Sequence, residues 1–159
     1  IEDKNGKVLA EFNPKTEEVL SEEKAYIMLQ LMKGVVNIGT GKRLRYKYKL
    51  NQDMAGKTGT TQNNSDGWFM GITPDLVSGC WVGAEDRSVH FNNTDQGQGA
   101  SMALPIFAKY MQKIYKDKSL HISQADFDKP AKKIDVEMDC KKYDRDFEEI
   151  QKDFEDYNQ

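Results

Sequence analysis

Cysteine, histidine and proline are scarce in this chain: two, two and four among 159 residues. Cys80 and Cys140 lie far apart, with no CxxC spacing and no histidine set to share a metal. Neither a redox pair nor a zinc site is indicated, and no metal or cofactor is expected. Cys80 stands in "VSGCWVG", where a small buried residue is expected, while Cys140 stands in a charged tail. The two are expected to be unbonded. His90 and His121 have no partner close in sequence and read as surface or packing residues. A strong charge of one sign is also missing. The net charge is −3 and there is no basic stripe, so nucleic acid is not an expected partner. "GKRLRYKYK" (Gly41 to Lys49) is the one basic cluster and reads as a solvated loop. No apolar run reaches membrane-spanning length, and no signal peptide is visible. The chain opens on Ile1, as expected of a processed product or a piece of a longer protein.

What is present is enough for one domain with its own core. "IEDKNGKVLAEF" (Ile1 to Phe12) places Asn5-Gly6 between two short extended runs, a hairpin signal. Ala25, Met28, Leu29, Met32, Val35 and Val36 recur at helical spacing behind Ser21, a suitable N-cap. Asn37 to Gly41 ends that helix. Strands are expected at Ala55 to Thr61, Trp68 to Thr73 and Leu76 to Glu85. The connections between them are short, so residues 55 to 85 should form an antiparallel meander. A polar loop follows over Asp86 to Gly99. Leu104 to Lys116 then reads as a helix with Pro105 in its first turn. It should bury Phe107, Met111 and Ile114, with Tyr110 as a further candidate.

Beyond Asp117 the composition shifts. Residues 132 to 159 hold six basic and ten acidic side chains. Tyr143, Phe147, Ile150, Phe154 and Tyr157 recur there at three and four, the pattern of an amphipathic helix. A partly ordered acidic tail is the alternative.

The chemistry-bearing stretch is "KTGT", Lys57 to Thr60. On a strand Thr58 and Thr60 face one way and Lys57 and Gly59 the other. Two hydroxyls on one face can donate to a carboxylate, and an edge strand leaves backbone N–H groups for a peptide or an oxyanion. Gly59 allows close approach. A twist or bulge would have to bring Lys57 round to the same place. A surface strand using Thr for β-propensity is the bland alternative. Asp66 reads as a turn residue accepting backbone N–H bonds, and Trp68 and Phe69 as core or groove wall. "GTGK" (Gly39 to Lys42) is no nucleotide-binding loop, because residue 36 is not glycine and Arg43 follows.

K-T-G is one of three motifs, with S-x-x-K and S-x-N, shared by penicillin-binding proteins and serine β-lactamases. "AGKTGTT", "DGWFMGITPDLVSGCWVG" and "ALPIFAKYM", preceded by "IEDKNGKVL" and "LMKGVVNIGTG", resemble the C-terminal part of the transpeptidase domain of class A penicillin-binding proteins. The resemblance covers about residues 1 to 116, leaving 117 to 159 as a charged extension. It implies an α/β fold, an antiparallel sheet with packed helices, as part of the penicillin-recognising fold. It also implies a peptidoglycan D,D-transpeptidase outside the cytoplasmic membrane, anchored by an upstream segment. The implied partners are the stem peptide, β-lactams and the missing N-terminal part of the domain. By the resemblance, Thr58 and Thr60 hold the terminal carboxylate, with Gly59 and Thr61 beside them in the substrate site. The Thr60 N–H serves the oxyanion, and Lys57 keeps the cleft positive within its proton network. A β-lactam sensor, a non-catalytic recognition module of the same fold and a β-lactamase fragment are the alternatives. The one literal S-x-x-K, Ser21 to Lys24, has no S-x-N between it and Lys57 and reads as a helix cap. The isolated chain is therefore expected to be inactive.

Overall fold

Three short-linked strands make one sheet: β1 (Ala55–Thr60), β2 (Asp66–Ile72) and β3 (Val77–Gly83). The computed structural model describes residues 1–13, 15 and 17–138. The strands run antiparallel in the order β1-β2-β3, the expected meander with bounds shifted by one or two residues. A 3-10 turn, Gln62–Asn64, joins β1 to β2, with Asn63 and Asn64 at φ 60° and 55°. Asparagine tolerates that left-handed region.

Alternation gives the sheet two faces. Gly67, Phe69 and Gly71 of β2 share one face with Thr60, Thr58 and Gly56 of β1 and with Val82, Cys80 and Ser78 of β3. Against that face packs α5 (Leu104–Lys116), whose Leu104, Phe107, Ala108, Met111 and Ile114 are buried. The helix has the expected bounds, with proline in its first turn. Tyr110 is exposed, one residue off the buried stripe. The Phe69 and Phe107 rings pack tilted at 53°, with centroids 4.9 Å apart. A Cβ on Gly71 would lie 2.1 Å from Phe107 Cζ, so glycine is what lets the helix sit this close. Cys80, a free thiol, is half-buried rather than enclosed, since its strand is at the edge of the sheet among the described residues. Partial burial pushes its thiol pKa up.

Helix α1 (Glu22–Asn37) starts as expected, Ser21 Oγ accepting the Lys24 N–H at 3.5 Å. Its apolar stripe is less covered than the spacing implies. Val36 is buried, whereas Met28 is 50 % exposed. The basic cluster is not a solvated loop. Residues Arg43–Tyr46 form the single turn α2, with Leu44 buried beneath it. Arg45 donates to Asn37 Oδ1 at 2.9 Å and to the Gln52 carbonyl at 2.7 Å, and Arg43 to Ser101 Oγ at 2.9 Å. Those guanidiniums are structural ties.

The expected hairpin at the start is reduced to one bridge, Glu2 to Val8, turned by Gly6 at φ 80°. The expected loop over 86 to 99 contains α3 (Thr94–Gly97) and leads into α4 (Gly99–Met102). Asn93 caps α3 through the Gln96 N–H at 3.0 Å, a signal too short to stand out in sequence.

After α5 the chain folds back on the body. The Ser123 N–H donates to Asp75 at 2.6 Å and the Phe127 N–H to Asp53 at 3.1 Å, with Phe127 buried. Burial raises the Asp53 pKa, but the Lys33 ammonium at 2.6 Å and the Phe127 N–H outweigh it, so the net shift is downward. Cys140 and the helix expected around Tyr143 to Tyr157 lie outside the described residues. Among the described residues no helix is long and apolar enough to cross a membrane.

Candidate functional site

Strand β1 has a paired side and an open side. The Thr61 N–H donates to the Asp66 carbonyl at 3.1 Å, which fixes which residues bond toward β2. By the alternation of an antiparallel ladder, Gly59 and Lys57 do so as well. The backbone groups of Thr58 and Thr60 then point off the edge, where no strand pairs with β1 among the described residues. The Thr60 N–H is one of the groups on this open side.

The two threonine side chains share the helix face of the sheet, and each has a partner behind it. Thr60 Oγ1 accepts the Gly99 N–H at 3.1 Å. Thr58 Oγ1 lies 2.8 Å from Thr40 Oγ1. A hydroxyl has one proton to give, so a partner that fills its acceptor side leaves that proton for a ligand. Gly99 reaches Thr60 only because it lacks a side chain. A Cβ there would lie 2.3 Å from the Trp68 carbonyl oxygen and 2.4 Å from that of Gly59. Neither Thr40 nor Gly99 was apparent from sequence, since each comes from a separate segment with no local signal.

Lys57 arrives without a bulge. The register from Ala55 opposite Ile72 to Thr60 opposite Gly67 is unbroken. Instead the long side chain curls over the edge, and Nζ donates to the Thr58 carbonyl at 2.7 Å. The flexible stem does what a backbone irregularity was expected to do.

Thr61 stands apart from its neighbours. Its Oγ1 lies 2.9 Å from Asp66 Oδ2 and 3.0 Å from Ser65 Oγ, and it accepts the Asp66 N–H at 2.9 Å. Asp66 opens β2 and is not a turn residue collecting backbone N–H bonds. Its carboxylate takes side-chain donors: the hydroxyls of Thr61 and Ser65 and, at 3.1 Å, the Trp81 indole N–H. The Thr61 hydroxyl first, then the Trp81 N–H, hold this carboxyl below its usual pKa, with Arg87 at 3.9 Å adding to them. Asp66 thus anchors the end of the K-T-G-T strand. Phe69 is core, while Trp68 faces solvent at 45 % exposure.

Ser21 is remote from this edge. It caps the start of α1, and the loop carrying Thr40 follows that helix's end. Sixteen residues at about 1.5 Å each separate the two by roughly 24 Å. A cavity of about 290 Å³ lies elsewhere, walled by Val82, Val89, Phe91 and Met102 with His90 at its lining.

Comparison with known proteins gives this arrangement its context. The family model described as penicillin binding protein transpeptidase domain matches residues 4–112. The chain belongs to that family. It is 41 % identical over 107 residues to penicillin-binding protein 1B of Escherichia coli, covering 67 % of this chain and 12 % of that protein. To penicillin-binding protein 1A of Aquifex aeolicus it is 35 % identical over 141 residues, or 89 % of this chain and 18 % of the relative. The crystal structure of penicillin-binding protein 1A from Haemophilus influenzae superposes with a TM-score of 0.54 at 25 % identity. That match covers 74 % of this chain and 17 % of the other. The fold is the expected one, a partial transpeptidase domain of the class A penicillin-binding protein type. The chain spans less than a fifth of the length of these relatives.

Proposed function

We propose that this chain supplies one wall of the cleft of a peptidoglycan D,D-transpeptidase, and that the complete parent protein cross-links stem peptides and is acylated by β-lactams. The observation that carries this reading is the K-T-G-T edge. Two hydroxyls lie on one face, Thr60 accepting the Gly99 N–H and Thr58 in contact with the Thr40 hydroxyl, a backbone N–H points off the strand, and an ammonium is bent over the same edge. Such a surface recognises an extended peptide ending in a free carboxylate. The Thr58 and Thr60 hydroxyls donate to that carboxylate. The Thr60 N–H receives the negative charge that develops on the attacked carbonyl oxygen. Lys57 raises the local positive charge and takes part in moving the proton. Gly59 keeps the strand surface low enough for the peptide to lie against it. Thr61, which gives its proton to the Asp66 carboxylate and accepts the Asp66 N–H, acts in this reading as the strand's anchor. The serine nucleophile, its base and the second oxyanion donor come from the rest of the parent domain, which is this chain's partner. Residues 1 to 116 are its share of that domain, and 117 to 159 an extension. The reaction takes place on the outer side of the cytoplasmic membrane, with the parent anchored by another segment.

The test uses the complete parent protein. Thr58→Val or Thr60→Val should weaken a substrate with a free terminal carboxylate by about 1.5–3 kcal/mol, the range for hydrogen bonds to charged groups. A carboxyl-amidated analogue should lose much less. Equal losses on both ligands would assign the threonines to the strand rather than to the substrate. The chain alone, incubated with a fluorescent penicillin and run on a denaturing gel, should carry no covalent label.

A further inference from the structure

The Gly39-Thr40-Gly41 loop matched no phosphate-binding pattern, yet it places a third hydroxyl at the threonine edge. We propose that Thr40 is a positioning residue: its hydroxyl donates to Thr58 Oγ1 and so turns the Thr58 proton toward the terminal carboxylate of the ligand. This inference rests on the reading of the K-T-G-T edge given above.

The loop is built to hold Thr40 there. It leaves the last turn of α1 and is pinned to it, with the Gly39 N–H on the Gly34 carbonyl and the Gly41 N–H on that of Val35, both at 2.9 Å. A Cβ on Gly39 would lie 2.9 Å from Val35 Cα, so the backbone is pressed directly onto the helix. That helix end is itself fixed on β1. Val36 is buried, and a Cβ on Gly56 would lie 3.3 Å from its Cγ2. Gly56 is two residues before Thr58 on the same face. The 2.8 Å contact between the two hydroxyls is therefore set by packing on both sides, although Thr40 itself is exposed.

Proton counting then gives the direction. With no ligand either hydroxyl can be the donor. A carboxylate can only accept, so Thr58 must spend its proton on it. The one arrangement that keeps both contacts runs Thr40 to Thr58 to carboxylate, and each bond in such a chain polarises the next. Thr60 has the same logic from a fixed backbone donor, the Gly99 N–H. Thr40 is the side-chain counterpart of that N–H.

The experiment measures acylation of the complete parent protein by a penicillin and by its methyl ester, which lacks the anionic carboxylate. Thr40→Val should slow acylation by the free acid about tenfold, which corresponds to about 1.4 kcal/mol. It should change the ester by less than about twofold. Thr40→Ser, which keeps the hydroxyl, should restore the rate, and thermal melting should be unchanged in both. Thr40→Val with Thr58→Val should be no slower than Thr58→Val alone. Equal slowing of acid and ester, no slowing at all, or multiplying losses in the double variant would overturn the assignment. If Thr58→Val discriminates acid from ester and Thr40→Val does not, only the role of Thr40 falls. If Thr58→Val fails to discriminate, the reading of the edge falls with it.

Discussion

The two faces of the sheet are made by the same three strands and are held in different ways. On the face toward α4 and α5, small residues alternate with one large one. Gly67 and Gly71 flank Phe69, and Phe107 and Met102 fill the space the glycines leave. On the opposite face Trp68, Met70, Trp81 and Val77 are 45, 39, 47 and 63 % exposed. There the contacts are a tilted pair of indole rings 6.4 Å apart and the polar cluster at Asp66. Apolar burial carries one side, and hydrogen bonds to a carboxylate carry much of the other. The threonines of K-T-G-T belong to the buried side, which gives them a rigid backing, while Lys57 rises from the exposed side and bends round the edge.

The largest effect expected from this difference concerns Phe107. Phe107→Ala should cost the chain about 3–5 kcal/mol, as for other buried aromatics. Trp68→Ala should cost less than about 1 kcal/mol despite removing a larger side chain. Urea denaturation of both variants checks this, and similar costs would erase the distinction between the faces.

A smaller effect should separate the faces by pH. The Asp66 carboxyl is held below its usual pKa, principally by the Thr61 hydroxyl and then the Trp81 N–H. A depressed carboxyl stabilises the folded state above its unfolded value, about 3.9, and the stabilisation is lost as pH falls through the folded value. Asp66→Asn should therefore be less stable than the parent sequence at pH 7, and the gap should close as pH drops below about 4. Phe107→Ala should keep its deficit over the same range. Denaturation midpoints at several pH values make the comparison, and a gap that does not move with pH would remove Asp66 from the account.

The smallest effect lies away from the sheet. Ser21→Ala should cost about 0.5–1 kcal/mol, the low end for a helix cap, in keeping with its long 3.5 Å bond. Penicillin labelling of the complete parent should be unaffected, and a lost label would give Ser21 a chemical role.

The sheet's two faces also explain what could be read in advance. Elements stood out where periodicity and punctuation agree: Pro105 and the buried stripe mark α5, Ser21 marks α1, and short turns mark the meander. Which face of β2 is core was not readable. Trp68, Met70 and Ile72 form the more apolar alternate set, yet Phe69 between two glycines is the buried one, because the approaching helix needs room more than surface area. The order of Lys57, Thr58 and Thr60 on a strand was readable too. Their backing was not, since Thr40 and Gly99 lie eighteen and thirty-nine residues from their partners. Asp66 was misread for a similar reason: the turn-rich stretch before it hides a carboxylate aimed at another strand.

The return of the chain over the body after α5 has a practical consequence. It brings Lys132 to within 3.7 Å of Glu23, beside the start of α1. Thr40 follows the far end of the same helix. A dye, affinity handle or tether attached at Lys132 therefore sits about one helix length, roughly 24 Å, from the threonine edge. It would leave that edge accessible, and a second probe beside Thr40 would turn α1 into a molecular ruler for changes at that edge.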